Sequence, residues 1–111
     1  MPEREEYDTD YDMPLSPLEL GCWLRMRIST RRGRVTGFVV QLEYQDGGMT
    51  YPIVRYDCAH GQPHKDTLNM TGQVVNKEWL SYSYDRALAE AKADIMRHWQ
   101  AYRDAFLGGL V

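Results

Sequence analysis

The segment RYDCAHGQPHKD, residues 55–66, gathers two histidines, two aspartates, a cysteine, an arginine and a lysine. Histidine changes charge near neutral pH, so His60 and His64 can act as base and acid in one site. Asp57 or Asp66 can orient an imidazole, as a carboxylate does in other catalytic sites. Lys65 or Arg55 can stabilise charge that builds on a phosphorus centre. The combination suits metal-independent RNA cleavage, in which a 2′-hydroxyl attacks the adjacent phosphate. Arg25 and Arg27, with Arg31, Arg32 and Arg34 beyond them, would supply phosphate contacts.

Two other readings use the same residues. Cys58, His60 and His64 are zinc-ligand types, with Asp57 or Asp66 as a fourth. Their spacing, C-x-H-x3-H, is not a strong zinc signature, and Gly61 and Pro63 keep the two histidines from being partners on one helix. No metal and no cofactor is therefore assigned. In the third reading Asp57 and Asp66 cap turns, Pro63 stiffens a loop, and the histidines bond backbone groups. A Cys58–His nucleophile is disfavoured by the inward direction expected for Cys58.

The elements that hold these residues follow from apolar spacing. Cys22, Leu24, Met26 and Ile28 alternate with Trp23, Arg25, Arg27 and Ser29, the period of a strand with one buried face. A turn at Thr30–Gly33 leads to a second strand over about 34–44, with Phe38, Val40, Leu42 and Tyr44 on one face. Asp46-Gly47-Gly48 marks a hairpin before a third strand over 49–58. Pro52 lacks a donor, so that strand begins near it or is an edge there. A fourth short strand is expected at 64–69 or at 74–80. Leu88, Ala91, Ile95, Trp99, Tyr102 and Phe106 then recur at steps of three and four, which predicts a helix over 84–107. Asp85, Glu90, Asp94, Arg97, Gln100 and Arg103 fall mainly on its wet face. Ser83 is a fitting N-cap, and Gly108-Gly109 ends the helix. One helical turn is expected from the Ser16-Pro17-Leu18-Glu19 capping box.

The fold class is therefore α+β: an antiparallel meander of three or four strands with one long C-terminal helix packed on one face. The other sheet face carries Arg25, Arg27, Gln41, Glu43, Arg55 and Asp57.

At 111 residues the chain is the size of one domain. It is 43% hydrophobic and 26% charged, which excludes collagen-like, coiled-coil and wholly disordered classes. The net charge of −3 is uneven. Residues 1–13 contain Glu3, Glu5, Glu6, Asp8, Asp10 and Asp12 against Arg4 alone, and residues 14–111 are slightly basic. The expectation is a disordered acidic tail over 1–13 and one α+β domain over 14–111. The tail either solubilises the protein or masks a basic face. No apolar run is long enough for a membrane helix, and the N-terminus lacks a signal-like apolar core, so a cytoplasmic location is expected. Cys22 and Cys58 are then expected as free thiols.

The run YPIVRYDCAHGQPHKDTLNMTGQ and the helix EAKADIMRHWQAYRDAF resemble an uncharacterised prokaryotic group of short proteins. That group shares an R-Y-D-x-A-H-G-x-x-H-x-D core and a terminal helix with a Trp and a Phe. A looser similarity runs to the TumE-type toxins of toxin–antitoxin pairs. The resemblance covers about residues 35–106 and rests on Arg55, Tyr56, Asp57, His60, His64 and Asp66. It implies a toxin-type ribonuclease, with RNA as a partner and an antitoxin-like or defence protein as another. The alternative is a non-catalytic interaction module that binds a protein partner. Neither reading involves a membrane.

Overall fold

The computed structural model describes residues 7–17 and 21–108, the His60 side chain excepted. Over them the chain runs β1 (Thr9–Pro14), β2 (Cys22–Arg31), β3 (Arg34–Asp46), β4 (Met49–Asp57), a 3-10 turn (Ala59–Gly61), β5 (His64–Leu68), β6 (Val74–Trp79) and α1 (Tyr84–Gly108). The strands form one antiparallel sheet in sequence order. The α+β class, the antiparallel sheet and the C-terminal helix agree with the sequence reading. The strand number does not: the sheet has six strands, not three or four.

Strands β1 and β6 have no buried residue, which is why their pattern is faint. The two segments offered as alternatives for a fourth strand are both strands, β5 and β6. Every residue of β6 is exposed, so no period-two apolar signal marks it. Asn69 closes the β5–β6 turn, its Oδ1 accepting the N–H groups of Thr71 and Gln73 at 3.0 Å each. At the other edge, residues 9–13 were expected to be disordered and instead belong to β1. Asp10 stands opposite Arg27 and Asp12 opposite Arg25. Their carboxylates lie 3.4 and 3.0 Å from the two guanidinium Nε atoms. Pairing of opposite charges across strands supplies what the apolar pattern lacks. Residues 1–6, and 18–20 of the expected helical turn, lie outside the described residues.

Two tight turns set the register of the central hairpins. Arg32 and Gly33 both have positive φ, 53° and 77°, as do Gly47 and Gly48, at 59° and 81°. Two-residue loops of this hand match the twist of the strands they join. Pro52 lies within β4 at a register shift, opposite Glu43. Strand β5 pairs only with Val54–Asp57, so β4 is a sheet edge on that side at Pro52, as a proline within a strand requires.

The core lies between the sheet and α1. Leu24, Met26, Phe38, Val40, Leu42, Val54 and Tyr56 form one cluster with Ala87, Ala91, Ile95 and Phe106. Ser83 caps the helix, its Oγ accepting the Arg86 N–H at 3.2 Å. Asp94, expected on the wet face, is only 21% exposed at its side chain. Its Oδ2 accepts the hydroxyls of Tyr56 and Tyr102, each at 2.5 Å.

Candidate functional site

The face of the sheet away from α1 is built from two transverse rows. Successive strand pairings align Asp12, Arg25, Gln41, Arg55, Asp66 and Lys77 in one row across all six strands. The adjacent row is Asp10, Arg27, Val39, Asp57, His64 and Trp79. Residues two apart on a strand share a face, so the rows lie side by side. The sequence places these residues 69 positions apart at the extremes, Asp10 to Trp79. Only the register joins them.

Arg25, Arg27 and Arg55 line a groove of about 490 Å³, together with Tyr7, Gln41, Asp57 and Cys58. Three of the six arginines expected to contact phosphate thus converge, while Arg31, Arg32 and Arg34 lie at the β2–β3 turn and do not line the groove. The three in the groove differ in state. Arg25 lies between Asp12 and Glu43, at 3.0 and 3.4 Å, and Arg27 pairs with Asp10. The Asp12 hydrogen bond holds the Arg25 pKa above its ordinary value. Arg55 donates Nε–H to Gln41 Oε1 at 2.6 Å and has no carboxylate within ion-pair distance among the described residues. Glu43 is buried, and although Arg25 is near, its Oε1 accepts no aligned hydrogen bond.

At one side of the groove Asp57 meets His64 and Asp66. His64 Nε2 lies 3.0 Å from Asp57 Oδ1 and 3.6 Å from Asp66 Oδ2. Its Nδ1 lies 3.2 Å from the Gln62 carbonyl oxygen. Asp57 Oδ1 also accepts the Ala59 N–H at 3.0 Å, which fixes the carboxylate at the start of the 3-10 turn. The Trp79 ring covers His64, with centroids 5.1 Å apart. Lys77 Nζ stands 3.1 Å from Asp66 Oδ1, an oxygen that is buried without an aligned hydrogen bond.

Two sequence expectations change here. His64 is only 3% exposed and both ring nitrogens are engaged, so it does not open onto the groove as a free acid or base would. Lys65 lies on the opposite face, because neighbouring strand residues alternate. Its Nζ donates to the Tyr102 hydroxyl at 2.7 Å and stands 3.6 Å from Asp94. Burial lowers its pKa, but Tyr102 and Asp94 together leave it raised. The His60 side chain, expected to pair with His64 as acid and base, lies outside the described residues. Cys58 hydrogen-bonds the backbone of Phe38, and both cysteines are free thiols, as expected. Sequence reading missed Lys77 and Trp79 as site neighbours. Their alternation in β6 was the available signal, but exposure on both faces hid it.

The fold and this site define a small α+β domain with a charged, open sheet face. A family model described as a domain of unknown function, DUF7718, matches residues 1–110, and the chain belongs to that family. Searches of curated proteins and of solved structures find no match. Among the described residues no helix is long and apolar enough to cross a membrane.

Proposed function

We propose that the protein is nucleic-acid-directed, with the groove on the open sheet face holding a single-stranded phosphodiester backbone. The observation that carries this reading is the convergence of Arg25, Arg27 and Arg55 on one groove. Guanidinium groups match phosphate oxygens in charge and fork geometry. Arg55 is the primary contact, since among the described residues its terminal amino groups have no partner. Asp57 belongs to the same lining, so the Asp57–His64–Asp66 cluster adjoins any backbone bound there.

Cleavage of that backbone, as in a toxin-type ribonuclease, is the activity proposed for the cluster. The burial of His64 favours a supporting role behind Asp57 over direct attack on the substrate. The location proposed is cytoplasmic, where RNA is at hand.

Binding of a labelled single-stranded RNA tests the reading. Arg27→Gln/Arg55→Gln should weaken binding at least tenfold while circular dichroism is unchanged. Equal affinity of the folded variant and the wild type would remove the groove from the account. Product analysis on gels with the wild type then reads cleavage.

A second reading, a protein-interaction module, is favoured by one feature. Strand β6 ends the sheet and exposes Val74, Val75 and Trp79. An open strand edge with apolar side chains is a template for strand addition by a partner. Partner capture lost on Val75→Lys, with RNA binding absent in the wild type, would favour it.

A further inference from the structure

Asp57 ends β4, and His64 and Asp66 lie on β5 beside it. Each offers one ligand atom, and the three atoms lie within 4.8 Å of one another. We propose that these residues form a binding site for a divalent first-row transition-metal ion.

The orientation of His64 is the first argument. A carbonyl oxygen only accepts, so a proton on Nδ1 would be donated to the Gln62 oxygen, 3.2 Å away. In that tautomer Nε2 holds a lone pair. That lone pair faces the carboxylate oxygens of Asp57 and Asp66, at 3.0 and 3.6 Å. Three lone-pair donors then converge, with ligand atoms close enough together to share one cation. Metal-bound imidazoles commonly donate their other N–H to a backbone carbonyl, which fixes the tautomer. Here Gln62, outside the cluster, fills that part.

The surroundings are the second argument. Asp66 is buried, yet its Oδ1 accepts no aligned hydrogen bond. Buried carboxylates are costly without full compensation. The Lys77 ammonium, 3.1 Å away, is one cationic group beside the two carboxyl groups of the cluster.

The donor set gives the ligand class. Two carboxylates and one imidazole suit manganese(II), iron(II) or zinc(II). Calcium takes six to eight oxygens, and a thiolate-seeking ion would need Cys58, whose sulfur bonds the Phe38 backbone. Three protein ligands leave positions open for water or substrate. The site stands on this geometry and does not rest on the nucleic-acid reading.

The test uses full-length protein stripped with a chelator and contains no nucleic acid. Manganese(II) is titrated in with free ion followed by electron paramagnetic resonance. Zinc(II) is titrated in competition with a chromophoric chelator. One equivalent of either ion should bind. Asp57→Asn and Asp66→Asn should each weaken binding at least tenfold, and Cys58→Ser should leave it unchanged. Should the Asn variants fail to fold, electron spin-echo modulation from an imidazole nitrogen on wild-type-bound manganese reads the His64 ligand directly. Absence of saturable binding by both ions overturns the proposal, as does binding that the folded Asn variants retain, or bound manganese without nitrogen coupling. A proton on Nε2 would then take the place of the cation.

Discussion

Asp94 shows how one side chain can depart from its helix pattern when two hydroxyls receive it. Burial alone would raise its pKa, but hydrogen bonds from Tyr102, Tyr56 and His98 and the charge of Lys65 hold it below its ordinary value. Burial, then the Asp94 hydrogen bond, raise the pKa of Tyr56 and Tyr102, so both stay protonated donors. A carboxyl with a depressed folded pKa stabilises the fold above its unfolded value and loses that contribution as pH falls through the folded value. Asp94→Asn should therefore cost about 1.5–3 kcal/mol near neutral pH, the range for hydrogen bonds to a charged group. The gap to wild type should close below pH 3.8, the ordinary carboxyl value. Urea unfolding of both proteins across pH 2–7 checks this, and a gap independent of pH would remove Asp94 ionisation as the cause. Gly21 is a second residue with a narrow tolerance. It has φ of 71°, its carbonyl accepts the Gln45 N–H at 2.8 Å, and a Cβ there would overlap the Gln45 carbonyl oxygen. Gly21→Ala should cost at least about 2 kcal/mol, combining left-handed strain with a backbone clash. A melting temperature equal to wild type would contradict that account.

At the scale of elements, β1 links the acidic segment to the groove. Its Asp10 and Asp12 neutralise Arg27 and Arg25, two of the three groove arginines. On the nucleic-acid reading these carboxylates compete with phosphate. Asp10→Asn/Asp12→Asn should raise RNA affinity about three- to tenfold at low salt, since exposed ion pairs are each worth up to about 1 kcal/mol. Unchanged or weaker RNA binding by the folded double variant would end that idea. Elements with one buried face were legible in the sequence: β2, β3, β4 and α1 all announce themselves by period. Those without one, β1 and β6, were not, because charge pairing across strands carries no local pattern.

For the whole molecule, the net charge of −3 is repulsive to nucleic acid, so binding must come from a local cationic surface. Single-strand binding weakens with salt by about 0.7 in log–log slope for each phosphate neutralised. Three arginines predict a slope of about −2, and Arg55→Gln should reduce its magnitude by about 0.7. An affinity independent of salt would argue for a surface other than the arginine groove.

The order of residues by itself determined the α+β class, the central hairpins, the C-terminal helix and the chemical richness of residues 55–66. It did so because apolar periods of two and of three to four, and glycines at turns, act over a few neighbouring residues. Tertiary structure decided which polar groups meet. Alternation within β5 turns His64 and Asp66 to one face and Lys65 to the other. Pairing of six strands then sets Arg25, Arg55 and Asp66 in one row, and Arg27, Asp57 and His64 in the next. A shift of one residue in any register would have turned these side chains to the other face, and register depends on hydrogen bonds between distant segments.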